Sequence, residues 1–210
     1  MSSFWMFVIN DWIFAIPMLA MSVCGIALIT WRILLNRGLL QNTEAHLETL
    51  KSTLLKDGIK AAITLNNDQK DWLSVLLFSA GIKGLGNGIP ASRKEINNAV
   101  EFEIIPRLNF LLPTMLAIAK IATMVGLLGT VISMIGTFTK IQEAQGGVSE
   151  QAGSIGLALF ATALGLVTAI PLVFSHVMFK AQINDFELQI KKTVQKFIEM
   201  ATTLKTPLKP

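Results

Sequence analysis

Charge is scarce in this sequence: 15% of its 210 residues are Asp, Glu, Lys or Arg, where a soluble globular domain carries roughly 25%. That shortage excludes an ordinary water-facing surface, and a hydrophobic content of 52% shows what replaces it. Cysteine is nearly absent. The single Cys24 has no partner in the chain, which excludes a disulfide framework, and no basic residue nearby could activate its thiol. His46 and His176 lack metal-ligand spacing, and no serine sits in a nucleophile-elbow motif. The expectation is a non-enzymatic chain with no metal and no cofactor.

The apolar residues lie in long runs. Residues 12–31, 121–139 and 151–179 contain no Asp, Glu, Lys or Arg, and each reaches or exceeds the roughly 18 residues needed to cross lipid. A soluble helix buries only one stripe and has no use for such runs, so three membrane-spanning helices are predicted. Residues 108–119 are also uncharged but too short to cross alone. They read as the inner end of the second span's helix. Residues 1–11 hold no Lys or Arg, and the first run exceeds the roughly 7–15 residues of a signal-peptide core, so this segment is expected to stay attached.

Of the 18 Lys and Arg residues, ten fall in 32–107 and six in 180–210. The positive-inside rule puts both segments in the cytoplasm and places the N-terminus and residues 140–152 outside. Basic residues at that membrane face are explained by anionic lipid headgroups, so the net charge of +4 does not imply nucleic acid. The predicted order is an interfacial helix over 1–11, a first span over 12–35 and a cytoplasmic segment over 36–107. A second span follows over 108–139, crossing at about 121–139, then a short outer loop over 140–152. The third span covers 153–179 and a cytoplasmic amphipathic helix 180–210. The fold class is all-α, with the second and third spans extending into a cytoplasmic helical domain.

Trp5 and Trp12 suit an interfacial belt at the outer surface. In the cytoplasmic segment Leu47, Leu50, Leu54, Ile59 and Ala62 recur at helical spacing, predicting a helix around 41–65, with a second short helix over 71–80. The glycine-rich stretch 81–90 lacks the strand-then-helix context of a phosphate loop and reads as a linker. Ser92 with Glu95 matches a capping box, so a long helix is expected to start there. It would run towards the second span, with Pro106 and Pro113 as kinks, about 70 Å from Ser92 to Thr139. Beyond the third span, Ile183, Phe186, Ile190, Val194, Phe197, Ala201 and Leu204 form an apolar stripe. That stripe wants a partner in its own chain, in neighbouring copies, or in both.

Two stripes carry the functional expectation. In the second span Thr123, Gly126, Thr130, Ser133 and Thr137 follow one another at steps of three and four, so one face is small and hydroxylated. In the third span Ser154, Ala158, Ala161, Gly165 and Thr168 do the same, with Thr162 beside them and Pro171 near the inner end as a kink. Small residues let helices approach closely in lipid, and hydroxyls can line a wet path. Both readings stand at this point. No carboxylate lies in either span, and a proton relay needs a titratable group at depth. Lys120 and His176 lie near the inner ends, where a lysine snorkels and a histidine sits in the interface. An ion-binding acid would have to come from another subunit.

The run Gly126-Leu127-Leu128-Gly129-Thr130-Val131, continuing to Phe138, and the run Ala158-Leu159-Phe160-Ala161-Thr162-Ala163-Leu164-Gly165-Leu166, continuing to Pro171, resemble the membrane signature of the MotA/TolQ/ExbB family. The order of the motifs and the count of spans are similar to the ExbB/TolQ branch; the flagellar branch has four spans. The resemblance implies a homopentameric ring around two copies of a single-span ExbD/TolR-like partner whose membrane Asp takes up the ion. It also implies a TonB-like third component in some systems and a bacterial inner membrane. Thr130 and Thr162 match the family's pore-facing threonines. Two positions depart from the pattern: Thr123 stands where a proline is common, and Leu157 where many ExbB members carry Glu.

The reading is therefore a channel-ring subunit of a motor that transduces ion-motive force to the envelope, as in TonB-dependent transport. A passive membrane scaffold, or a stator for another envelope process such as gliding, is the alternative. A self-contained transporter fits less well, because three spans show no inverted repeat and no intramembrane carboxylate.

Overall fold

The computed structural model describes residues 8–9, 12–36, 48–49, 52–53, 64–65, 72–143 and 148–205. Most of the predicted helix over 1–11, most of the helix around 41–65, and the tail from 206 lie outside those residues. Among the described residues the architecture is all-α with no strand. Its elements are α1 (Trp12–Asn36), α2 (Trp72–Leu85), α3 (Ile89–Ala99), a π-helical turn (Val100–Ile104), α4 (Ile105–Asn109), α5 (Leu112–Gln142) and α6 (Val148–Lys205). Three helical stretches are long and apolar enough to cross a membrane: Trp12–Asn36, Ile89–Gln142 and Gln151–Thr203. The chain divides into two compact units, one of residues 1–33 and 111–179, the other of 34–110 and 180–210.

The first unit packs α1, α5 and the part of α6 up to Phe179. Its centre is Ala15, Met18 and Ala161, with Phe14, Met21, Val125, Leu157, Phe160 and Leu164 against them. Small residues decide the approach of the helices. A methyl built on Gly25 would come within 2.9 Å of Leu172, and one on Gly165 within 2.7 Å of the Ala122 carbonyl oxygen. The outside of the unit is apolar: Val23 and Phe174 are each 67% exposed, and Met124, Leu127, Ile135, Leu159 and Ile170 stand out in the same way. A surface of this kind suits lipid.

In the second unit the apolar stripe of α6 finds its partner within the chain. Ile183, Ile190, Phe197 and Ala201 are buried, and the Phe197 ring lies 5.8 Å from that of Phe78 on α2. The expected linker over 81–90 is corrected here. α2 continues to Leu85, and only Gly86, Asn87 and Gly88 turn. Gly81 and Gly84 are there for close packing: a methyl on Gly81 would sit 2.6 Å from Phe197, and one on Gly84 would run into the Ser92 backbone. The capping box is corrected too. α3 starts at Ile89, with Pro90 in its first turn and Gly88 at φ 107° before it, as suits a residue that pays no Cβ penalty. Ser92 is buried, and its hydroxyl donates to the Gly81 carbonyl at 2.7 Å.

The path from Ser92 into the second span is not one unbroken helix. The π-helical turn ends two residues before Pro106, and the chain breaks at Phe110–Leu111, where Leu111 adopts φ 70°. Pro113 lies in the first turn of α5, where its missing N–H costs nothing. α6, in contrast, runs through Pro171 without interruption for 58 residues.

Candidate functional site

The two predicted stripes meet in the first unit at Gly126. A methyl there would lie 3.0 Å from the Ala161 carbonyl oxygen and 3.3 Å from the Cα atoms of Thr162 and Gly165. Gly129 faces Ala161 and Phe14, and Gly165 faces Ala122. These contacts make a close helix crossing in which Gly126, Gly165, Ala161 and the fully buried Ala158 serve packing. Ala122 and Gly129 belong to it and were not singled out by the stripes. For Ala122 the signal was its spacing to Gly126, four apart like Ala161 and Gly165, which is the small-xxx-small pattern; Gly129 stands within the run from Gly126 to Val131.

The hydroxyls sit around this crossing. Thr162 donates from Oγ1 to the Gly126 carbonyl at 3.2 Å, which ties α6 to α5. Thr130 donates to Leu127 at 2.6 Å, Thr123 to Lys120 at 2.7 Å and Thr137 to Ser133 at 2.9 Å, all within α5. Thr168, buried, donates to Leu164. Each of these hydroxyl hydrogens is therefore committed to a backbone carbonyl. What Thr130 and Thr162 have left is oxygen lone pairs, so they can only accept. Groups of that kind suit water, hydronium or a protonated carboxyl, each of which brings its own hydrogen.

The α5–α6 pair has two unlike flanks. Val125, Leu157, Phe160 and Leu164 pack against the cluster that holds Ala15 and Met18 of α1. At about 100° per residue, Thr130 lies about 140° around α5 from Val125, and Thr162 lies about 140° around α6 from Leu157. Thr123, Thr130 and Thr162 are half-buried, on the flank turned away from that packing. Leu157, the position where an acid was noted as missing, belongs to the covered flank. An apolar side chain there is what the neighbouring α1 residues require.

The remaining predicted positions separate. Ser133, Thr137, Ser154 and Leu157 line one cavity at the end of the pair. Pro171 is exposed on α6, away from the crossing. His176 bonds through Nδ1 to the Leu112 carbonyl at 3.0 Å. Because a carbonyl only accepts, Nδ1 carries the hydrogen, and the ring secures the start of α5. A larger cavity of about 710 Å³ lies in the second unit, where Lys191 pairs with Glu187 at 2.7 Å. Its lining mixes apolar Val100, Ile190 and Val194 with charged Arg93 and Glu101.

Residues 75–192, more than half of the chain, match the MotA/TolQ/ExbB proton channel family. No curated protein matches the chain.

Proposed function

Because the chain belongs to the MotA/TolQ/ExbB proton channel family, we propose that it is a channel-ring subunit of an ion-driven motor in the bacterial inner membrane. The reading is the three-span ExbB/TolQ branch, with the N-terminus outside and the C-terminus in the cytoplasm. A homopentamer surrounds an ExbD/TolR-like single-span partner whose membrane Asp takes up the proton. A TonB-like component then carries the work to the outer membrane.

The observation that supports this most is the half-buried hydroxyl flank at Thr130 and Thr162, on two helices that carry no carboxylate between residues 121 and 179 except in the connecting loop and the two helix ends that flank it. A span pair without an acid cannot itself take up a proton at depth. It can supply acceptor oxygens to the species that does. In this account Thr130 and Thr162 hold water or the protonated carboxyl of the partner next to the α5–α6 crossing. The crossing itself, fixed by Gly126 and Gly165, keeps the two oxygens at constant spacing. Thr123 extends the polar flank inward, whereas Ser133 and Thr137 extend the hydroxyl series towards the other end.

The test is co-expression with the single-span partner, followed by proton uptake into vesicles. Thr130→Val with Thr162→Val should lower uptake at least about tenfold while the complex still assembles. Full uptake by that double variant would make the flank a packing surface and favour the passive scaffold.

A further inference from the structure

The cavity at the end of the α5–α6 pair has a volume of about 380 Å³. Around α5, Ile132 and Gly136 fall within about 20° of Val125 and Thr137 within about 20° of Thr130, so the lining joins the two flanks of the helix, with Ile132 and Gly136 exposed. Thr130 and Thr162 are not among the lining residues, whereas Ser133 and Thr137, which continue the hydroxyl series, are, so a ligand here rests on that series at its end and not on the two threonines.

Its lining is graded. Ile132 and Leu157 make an apolar end, Ser133, Thr137 and Ser154 contribute hydroxyls, and Lys140 stands at the other end. Lys140 is about 12 Å along α5 from Ile132 at the helical rise. It is also the one Lys or Arg between residues 121 and 179, and it directly follows the charge-free run. Its ammonium therefore sits where the hydrocarbon ends and phospholipid headgroups begin. Among the described residues it forms no ion pair: the pair present is Lys191 with Glu187, and Glu143, one turn further on, does not engage Lys140. The wall between the two ends is open at Gly136, where an added methyl would meet nothing within 4 Å. In the glycines at the helix crossing, by contrast, the same methyl would strike backbone or side-chain atoms at 2.7–3.0 Å.

We infer that this cavity binds one membrane phospholipid, its phosphate on Lys140 and the start of an acyl chain against Ile132 and Leu157. A free anion would use the ammonium and leave the apolar end without a purpose. A phospholipid uses both ends in the order in which they occur, and at this height in the bilayer it is the neighbour at hand. Gly136 leaves room for the glycerol backbone beside the helix.

The intact chain, in whatever complex it forms, is purified in detergent, and phosphatidylglycerol is titrated in while bound lipid is counted by native mass spectrometry. Wild type should retain one lipid per chain. Lys140→Gln should lower retention at least about fivefold, Gly136→Leu should do the same by filling the space, and Lys140→Arg should keep it. Lys120→Gln, a change at an exposed lysine outside the cavity, should leave retention unchanged. Glycerol 3-phosphate, which has the phosphate but no acyl chain, should fail to displace the lipid. The inference is overturned if Lys140→Gln and Gly136→Leu retain lipid as wild type does. It is equally overturned if a zero-length cross-link joins Lys140 to an acid of another chain, since the cavity would then hold a protein carboxylate.

Discussion

On one flank of the α5–α6 pair stand Val125, Leu157, Phe160 and Leu164, and on the other Thr123, Thr130 and Thr162. Both flanks belong to the same two helices, and both are reached from the same crossing at Gly126 and Gly165. The difference is the neighbour. The first flank meets α1, and its apolar side chains fill the space around Ala15 and Met18. The second keeps half-buried hydroxyls: those of Thr123 and Thr130 bond only within their own helix, and that of Thr162 ties α6 to α5 while its oxygen can still accept. In lipid, hydroxyls with accepting capacity left over on one flank suit water or a polar partner.

The comparison can be broken most severely at the crossing itself, because both flanks depend on it. Gly165→Leu would force a side chain towards the Ala122 carbonyl, which a methyl alone would approach to 2.7 Å. Overpacking costs about 1–3 kcal/mol, occasionally more, so thermal unfolding in detergent should shift sharply and uptake should vanish with the fold. Leu157→Ala acts on the covered flank alone. It should cost about 2 kcal/mol, seen as a lower unfolding temperature, while uptake per folded complex stays near wild type. Thr162→Val acts on the other flank. It removes the bond to Gly126, worth about 1 kcal/mol, so its unfolding shift should be smaller than that of Leu157→Ala although its uptake falls further. Thr123→Val should change least: its hydroxyl bonds only to Lys120 of its own helix, and the expected shift is within about 0.5 kcal/mol.

The three spans were legible in the sequence because lipid imposes a length, and charge-free runs of that length have no other use in a chain of this kind. The stripe of α6 from Ile183 to Ala201 was legible for the same type of reason: a helical period of apolar residues demands a partner. What the partner is could not be read from it. Phe78 and Gly81 supply part of the answer, and Gly81 had looked like linker, because glycine marks turns and close approaches alike. Ser92 shows a related ambiguity. Its spacing to Glu95 suits a cap, but Pro90 in the first turn and Gly88 before it set the start of α3 earlier. The break at Phe110–Leu111 left no mark, since a leucine at positive φ has no sequence signature; only Pro113, two residues on, hinted at it. At the candidate site the stripes run along α5 and α6, which cross where Thr162 bonds to the Gly126 carbonyl. Which side of each helix α1 would cover depended on Phe14, Met18 and Leu157 coming together, and that is a tertiary fact.

Water access decides between the flanks most directly. In a Cys24→Ala background, Thr130→Cys and Val125→Cys differ by five residues along α5 and face opposite ways. The complex is kept in its membrane and exposed to a small, charged, thiol-specific methanethiosulfonate reagent. The account predicts that Thr130→Cys is modified, and modified more slowly when the single-span partner is present, whereas Val125→Cys stays unmodified. Equal protection of both positions, or modification of Val125→Cys alone, would contradict it.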